Sequence, residues 1–422
     1  MDFFFDGYIS REVLNNYLSR AVTHCGIGED NSLASSTFED DIRMLKNEGA
    51  KFIGRASYVW DSTDDERHFR IAKERADRAH EVDPDFILQA CVFECIQKSF
   101  VNSVKIPAWV FEAFGLDIED RSFSYESMIF ESGRYINQWG KDSSVEDINR
   151  LESRLWIFYR ACSYINAGFE GIHFGQVHLI GAEDEGFRYF KEVIAMIRDY
   201  AKKHARRHYV LCDAHTHGIS VDGISLFDYN CFPIRLKEVI NKPMECICEE
   251  GYSDSLFSRS AAGVSPSGWA ADSMPFIVEF DNFGRNRARG VPDHESHFAW
   301  GYDEITWFAL LRDDARAEFL RYIDQWVNER YPEGWVQMPS RRIMTESIKM
   351  NYTSKTLTAE RLAELAPVEY ITAYAKYEDS YDIYRWYYSA NRPSDGCPFG
   401  YGDEDVIREL FASRGSVDVH TK

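Results

Sequence analysis

The 422-residue sequence lacks the features that mark several classes of protein. Positive charge is scarce: 48 Lys and Arg stand against 69 Asp and Glu, which gives a formal net charge of −21. This argues against nucleic-acid binding, because phosphate groups need a basic face, and against an anionic membrane surface. No window approaches about 18 uninterrupted apolar residues, so we predict no transmembrane helix. A neutral or cationic partner is compatible with this charge.

Cysteine pairs with the spacing of metal or redox sites are also missing. Nine cysteines are present, an odd number, and none forms a Cys-x-x-Cys motif. Most lie among apolar residues, where cysteine acts as a small apolar side chain. We therefore expect a reducing compartment, the cytoplasm, and no disulfide framework. The first residues, MDFFFDGYIS, lack the basic segment and long apolar stretch of a secretory signal.

Glycine motifs that bind phosphate are absent as well. No Gly-x-Gly-x-x-Gly follows a predicted strand and no P-loop occurs. The sequence thus gives no sign of a dinucleotide, and we predict no cofactor. Aromatic residues, in contrast, are abundant, with 29 Phe, 24 Tyr and 10 Trp. A large core accounts for many of them, and aromatic rings also stack on the weakly apolar faces of sugars.

Short apolar strands alternate with longer amphipathic helices along the chain. Such alternation predicts a parallel sheet, and apolar strands that end in polar residues favour a (β/α)8 TIM barrel. An open doubly wound sheet is the alternative. The predicted strands are 51–60, 86–96, 169–181, 209–215, 225–237, 275–284 and 334–342, with an eighth candidate at 123–130.

The predicted organisation is an α/β barrel with long βα loops. Residues 46–345 form the (β/α)8 catalytic barrel, and residues 1–45 form a helical and loop segment that packs on it. Residues 346–422 are predicted to be a helical C-terminal extension, since their sequence is polar with helical periodicity.

Polar residues at strand ends are the candidates for the site, because barrel active sites lie at the carboxyl ends of the strands. The candidate catalytic residues are Asp213, Glu279 and Asp281. Glu279 and Asp281 share a face, since strand side chains alternate; Glu279 could instead be a buried acid paired with Arg55 or Arg285. The candidate substrate-binding residues are Trp60, Glu94, His173, Gln176, His215, Asp228, Trp300 and Gln337.

The chain as a whole resembles TIM-barrel glycoside hydrolases, through its strand–helix alternation, its acidic strand ends VEFDN and LCDAH, and aromatic loops such as SHFAWGYDEITWF. The resemblance implies a hydrolase in which one carboxyl group protonates the leaving oxygen and another acts as nucleophile or base. Asp281 or Glu279 would be the nucleophile or base, and Asp213 or Glu94 the acid. The commonest such enzymes carry Glu at the end of the fourth strand, where GIHFGQVHL has Gln176 instead.

The stretch DAHTH resembles the first-strand metal motif of the amidohydrolase superfamily. That resemblance implies a metal-dependent hydrolase with a divalent ion at His215 and His217. In that family the motif opens the barrel, whereas here half of the chain precedes it, so we predict no metal and a hydrogen-bonding role for His215. A third alternative is a non-catalytic barrel that binds glycans. The expected partner is an oligosaccharide or a glycoside, and a homo-oligomer is left open.

Overall fold

The computed structural model describes residues 1–29, 32–57, 64–284, 290–292, 297–345, 386–391 and 400–414. Eight parallel strands form its centre. They are β1 (Ala21–His24), β2 (Phe52–Ser57), β3 (Ile87–Cys91), β4 (Gly171–His173), β5 (Leu211–Asp213), β6 (Asn230–Pro233), β7 (Phe276–Glu279) and β8 (Gly334–Ile343).

The eight strands close into a barrel. From β6 the order runs through β7, β8, β1, β2, β3 and β4 to β5, with parallel pairing at every step. The two ends meet where the Cys231 N–H donates to the Ala214 oxygen at 3.2 Å and the Thr216 N–H donates to the Cys231 oxygen at 3.2 Å. The predicted (β/α)8 class is therefore confirmed, and the open doubly wound sheet is wrong.

Helices bury their apolar faces against the barrel, α1 at the amino ends of the strands and the others on the outside. They are α1 (Arg11–Leu18), α2 (Ser32–Glu48), α3 (Asp65–Val82), α4 (Leu151–Asn166), α5 (Arg188–His204), α6 (Glu304–Leu310), α7 (Asp313–Arg330) and α8 (Glu404–Ser413). The side chain of Asp64 caps α3 by accepting from the Arg67 N–H at 2.9 Å. None of the helices in the described ranges is long and apolar enough to cross a membrane.

The loops after the strands carry short elements, and between β5 and β7 these replace the helices of a regular barrel. Short helices are Lys98–Val101, Ala108–Ala113 and Val177–Ile180, with single 3-10 turns at Tyr125–Ser127 and Glu185–Phe187. Short strands are Ile96–Gln97, Ser143–Ser144, Ser220–Val221, Ile224–Ser225, Lys237–Glu238, Cys246–Ile247, Gly263–Val264 and Ala270–Ala271. The strand β9 (Trp386–Tyr388) pairs antiparallel with β8.

The first barrel strand is the one that the sequence did not predict. β1 lies within residues 1–45, so part of this range belongs to the barrel rather than packing on it. Its four residues are all buried and too few to show a period. The candidate strand at 123–130 is wrong, because this segment holds a 3-10 turn and lies outside the barrel sheet. Of the predicted C-terminal extension, α8 is helical and β9 is a strand; residues 346–385 lie outside the described residues.

A bulge in β8 changes which of its residues face the barrel. Opposite β1, Thr23 pairs with Pro339 and His24 with Arg341, so that Ser340 is skipped. As a result Ser340 and Arg341 both face α2, where the Ser340 hydroxyl donates to Glu48 at 3.3 Å. Arg342 returns to the barrel side and binds Asp281.

Candidate functional site

A cleft of about 620 Å³ opens at the carboxyl ends of the strands. Its walls come from residues of β2, β6 and β8 and from the segments that follow β3 to β7, as in barrel enzymes generally. The lining residues are Arg55, Phe93, Glu94, Trp139, Gly175, Gln176, His178, Leu179, His215, Phe232, Pro233, Arg235, Asp254, Asp281, Asn282, Phe283, Arg342 and Ile343.

The floor of the cleft is a buried ion pair between Arg55 and Glu279. Arg55 Nε donates to Glu279 Oε2 at 2.8 Å, and Arg55 Nη2 donates to Oε1. His215 Nε2 lies 3.0 Å from the same Oε1. Burial alone would raise the pKa of Glu279, but the charge of Arg55 outweighs it and holds this pKa well below 4.5. Glu279 is thus ionised and paired with Arg55, one of the two arginines that the sequence offered as its partner.

The backbone of Arg55 adopts an unusual conformation that aims its side chain into the cleft. Its φ of 55° is in the left-handed region, which residues other than glycine seldom occupy. The register of β2 against β3 shifts between Ile53 and Ser57, and the Arg55 N–H donates to the side chain of Gln89 at 3.0 Å. Local kinks of this kind re-aim side chains near active sites.

Asp281 faces the cleft between two arginines. Arg342 Nη2 donates to Asp281 Oδ1 at 2.6 Å, and Arg55 Nη2 lies 3.8 Å from the same oxygen. Burial would raise the pKa of Asp281, but the two arginines hold it below its usual value. All of these contacts use Oδ1, and the side chain is 13% exposed. Asp281 therefore presents an ionised carboxylate to the cleft.

Glu94 lines the wall of the cleft after β3, held by the loop after β4. The Gln176 backbone N–H donates to Glu94 Oε2 at 2.8 Å, and its side-chain amide donates to Oε1 at 3.0 Å. Gly175, with φ 57°, allows this contact, since a Cβ there would lie 1.9 Å from Glu94 Oε2. The Trp139 indole donates to the Glu94 carbonyl oxygen at 2.7 Å. Glu94, Gln176 and His215 thus lie in one cleft.

Asp213 and His173 lie beneath the floor, in the barrel interior. Asp213 is fully buried; its Oδ2 lies 2.7 Å from His173 Nδ1, and its Oδ1 accepts from Gln89 Nε2 at 2.7 Å. Burial lowers the pKa of His173 despite the carboxylate, so its ring is neutral and Nδ1 donates to Asp213. Neither residue lines the cleft. The predicted role of Asp213 as the acid does not fit this position, because a substrate in the cleft does not reach it.

Three predicted substrate-binding residues also lie away from the cleft. Asp228 precedes β6 and accepts from the Cys212 N–H at 2.8 Å, at the opposite end of the strands. Trp300 is buried and donates from its indole to the Glu245 oxygen at 3.0 Å. Gln337 fills the barrel interior and donates to the Val22 oxygen at 3.1 Å. The binding roles predicted for them are not supported by these positions, and Trp60 lies outside the described residues.

Several residues of the cleft were missed because they come from loops or from the bulge. Arg235 donates from Nε to Asp254 Oδ1 at 2.6 Å, and its guanidinium lies 4.7 Å from the ring centre of Phe283. Asp254 and Trp139 belong to irregular segments that carry no periodic signal. Arg342 was missed because regular alternation from Gln337 predicts that residue 341, and not residue 342, faces the barrel.

Two groups of potential metal ligands occur among the residues that the structure describes. One is His173, Asp213 and Cys231, and the other is His215, Cys231 and Glu279; in each, the ligand atoms lie within 4.8 Å of one another. His217 is in neither group, and its Nε2 instead lies 2.8 Å from the Asp254 carbonyl oxygen. The pairing of His215 with His217 implied by the amidohydrolase resemblance is therefore not seen.

No family model and no curated protein matches this sequence. Among solved structures, isomaltulose synthase SmuA from Protaminobacter rubrum is similar over 94% of this chain and 83% of its own, at 12% identity and TM-score 0.41. The glycoside hydrolase domain of PelA from Pseudomonas aeruginosa is similar over 70% of this chain and 90% of its own, at 10% identity and TM-score 0.34. A debranching enzyme from Nostoc punctiforme is similar over 54% of this chain, at 14% identity and TM-score 0.31, and this chain spans 53% of that enzyme. The barrel fold rests on the strand pairing described above.

Proposed function

We propose that this protein is a carbohydrate-active hydrolase that cleaves a glycosidic bond, with Glu94 and Asp281 as its pair of carboxylates. One observation carries the proposal. Both carboxyl groups line a single cleft at the carboxyl end of a barrel, on segments that follow β3 and β7. Glycosidic hydrolysis needs two carboxyl groups on either side of the bond.

The surroundings of the two groups assign their roles. Asp281 stands between Arg55 and Arg342, which keep it ionised, so it acts as the nucleophile or as the base that activates water. In the described part of the chain Glu94 has no ion pair with a lysine or arginine, so it takes the remaining role, the acid that protonates the leaving oxygen, and its contacts with Gln176 position it. Pairs of carboxyl groups in contrasting environments commonly divide acid and base work in this way.

The remaining walls suit a sugar. Aromatic rings of Phe93, Trp139, Phe232 and Phe283 line the cleft, and such rings stack on sugar faces without a need for charge. His178 and His215 supply ring nitrogens for hydrogen bonds to hydroxyl groups. The substrate is accordingly an oligosaccharide or a glycoside, and the eight free thiols of the described residues suit a reducing, cytoplasmic setting.

The test uses Glu94→Gln and Asp281→Asn in the full chain, against a panel of aryl glycosides and oligosaccharides. Each variant is expected to lose about 10²–10⁴-fold in kcat, the usual worth of a positioned acid or base. Glu185→Gln, on an exposed loop, is the matched control and keeps full activity. Hydrolysis that survives both substitutions contradicts the assigned pair. Glycan binding by calorimetry without turnover on the whole panel contradicts the enzyme and favours a binding barrel.

A further inference from the structure

Three arginine side chains line the cleft. The guanidinium groups of Arg55, Arg235 and Arg342 come from β2, from the segment after β6 and from β8, and no lysine is among the described lining residues. Arginine presents a planar fork that matches a carboxylate or a phosphate, which lysine does not. We propose that Arg235 binds an anionic substituent of the sugar, either a carboxylate or a phosphate ester. The inference rests on the proposed function, because it takes Asp281 as the group that faces the anomeric carbon.

Two of these arginines already have an ionised carboxylate as a close partner. Arg55 donates from Nε and Nη2 to the buried Glu279. Arg342 donates from Nη2 to Asp281 at 2.6 Å. The pKa values of both acids are held low by these arginines, so each pair carries no net charge at neutral pH. Arg55 and Arg342 therefore balance the charges of the floor, and Arg235 is the arginine that remains for the substrate.

The acidic partners of Arg235 compensate its charge only in part. Its Nε donates to Asp254 Oδ1 at 2.6 Å, but the Asp254 side chain is 42% exposed, and solvation weakens such a pair. Its Nη1 lies 3.5 Å from Glu304 Oε1, and burial raises the pKa of Glu304 to about 8, so this acid is mostly protonated at neutral pH. Its Nη2 makes no hydrogen bond with the described residues and is not enclosed by protein. The guanidinium thus retains both charge and free N–H groups.

The backbone places Arg235 next to the carboxylate that faces the reacting sugar. The carboxyl group of Glu304 accepts from the backbone N–H of Arg235 at 2.7 Å and from that of Asp281 at 3.1 Å. One buried carboxyl group therefore holds together the segments after β6 and β7. Because the side chains of Arg235 and Asp281 line the same cleft, a sugar ring at Asp281 lies beside the Arg235 guanidinium.

The orientation of this guanidinium is fixed before any ligand binds. It lies 4.7 Å from the ring centre of Phe283 and 5.5 Å from that of Phe232. The backbone of Arg235 has a φ of 57°, in the left-handed region that residues other than glycine seldom occupy, and such conformations cluster at ligand-binding sites. A pre-organised fork loses little side-chain entropy for each hydrogen bond that it forms.

The net charge of −21 by itself favours a neutral or cationic partner. Charges farther away than about 8 Å are, however, largely screened at physiological ionic strength. Recognition of the sugar therefore depends on the groups inside the cleft, where Arg235 supplies a partly compensated positive charge.

The experiment compares acidic and neutral substrates of the full chain. Aryl glucosides and galactosides, as both anomers, are paired with the corresponding uronides and 6-phosphates. We expect an acidic member to be hydrolysed at least about 10-fold better in kcat/KM than its neutral counterpart, because a hydrogen bond to a charged group is worth about 10–100-fold. Preference for a uronide identifies a carboxylate as the substituent, and preference for a 6-phosphate identifies a phosphate ester. Preference for the neutral sugars overturns the inference and leaves the hydrolase intact.

Arg235→Gln tests the residue itself. We expect a loss of about 10–100-fold in kcat/KM on the preferred acidic substrate and little change on its neutral counterpart. Arg235→Lys should lie between the two proteins, since it keeps the charge without the fork. Arg188→Gln is the matched control, because this exposed arginine also lies over an aromatic ring, 4.5 Å from the centre of Tyr189. An equal loss on acidic and neutral substrates overturns the inference, since a merely structural role gives that result.

Calorimetry separates a failure of this inference from a failure of the proposed function. Glucuronate, galacturonate and the two sugar 6-phosphates are titrated into the wild type and into Arg235→Gln, with glucose and galactose as neutral references. Tighter binding of an acidic sugar that is lost in Arg235→Gln, without hydrolysis of any glycoside, supports the anionic site and contradicts the hydrolase. Equal binding of acidic and neutral sugars overturns the inference, as does a lack of binding together with a lack of hydrolysis.

Discussion

Replacement of Gly175 by alanine tests how Glu94 is held in the cleft. Two penalties apply to this substitution. The positive φ of 57° costs an alanine about 1–2 kcal/mol. The new Cβ would also lie 1.9 Å from Glu94 Oε2, so the carboxylate must leave and give up its bond from the Gln176 N–H. A hydrogen bond contributes about 0.5–1.5 kcal/mol net. The sum is a loss of about 1.5–3.5 kcal/mol in the free energy of unfolding.

Gly186→Ala is the matched control for this prediction. Gly186 has a similar φ of 70° and nothing within 4 Å of an added Cβ, so it incurs the backbone penalty alone. The assay is equilibrium unfolding in urea, together with hydrolysis of the best aryl glycoside. We expect Gly175→Ala to be the less stable variant by about 0.5–1.5 kcal/mol and to match Glu94→Gln in activity. Equal destabilisation of the two alanine variants would refute the contact between Gly175 and Glu94.

Three further predictions concern the buried charges and the packing of the barrel. Glu279→Gln removes the closest ion-pair partner of Arg55 and should cost about 3–5 kcal/mol in urea unfolding. Because the pKa of Glu279 is depressed, its contribution to stability is present above pH 4.5 and is lost as pH falls below that value, so the stability of the variant should depend less on pH in the acid range. Burial raises the pKa of Glu48 to about 8, so its contribution to the free energy of unfolding is full below pH 4.5 and is lost as pH rises towards 8. Between these values the free energy of unfolding should fall by about 1.4 kcal/mol per pH unit on account of this group, and Glu48→Gln should abolish that dependence in unfolding experiments. A Cβ on Gly54 would lie 1.7 Å from Gln337 Nε2, so Gly54→Ala should cost about 1–3 kcal/mol in the free energy of unfolding. The double variant with Gln337→Ala should regain most of this loss, because it removes the clashing side chain. If the losses of the two single variants simply add in the double variant, the clash is excluded.

The barrel could be predicted because seven of its strands are apolar segments that end in polar residues and precede a loop or helix. β1 could not, since the four residues AVTH are too few to distinguish a strand from a loop. The fourth-strand position of GIHFGQVHL is confirmed once β1 is counted. Sequence order alone therefore established the class of fold but not the start of the barrel.

For the candidate site, the sequence could predict which side chains face the barrel interior but not how far along the barrel axis each of them lies. Asp213 ends β5 and His215 follows two residues later; Glu279 and Asp281 have the same relation at the end of β7, and two residues of extended chain span about 6.6 Å. Strand alternation predicts that all four side chains point inward. Only the structure shows that Asp213 and Glu279 lie in the interior, whereas His215 and Asp281 reach the cleft.

The bulge at Ser340 has a consequence for insertions and deletions in β8. Deletion of Ser340 would restore regular pairing and leave Arg341 on the outer side and Arg342 on the inner side, as they are now. If β8 straightened with its length unchanged, the two arginines would exchange sides, and Asp41 and Asp281 would each still face a guanidinium. Because Arg341 and Arg342 are adjacent, an arginine faces Asp41 on one side of β8 and Asp281 on the other, whichever of the two points inward. We therefore expect the insertion or deletion of one residue to be better tolerated here than in a strand whose inward-facing charged residue has no identical neighbour.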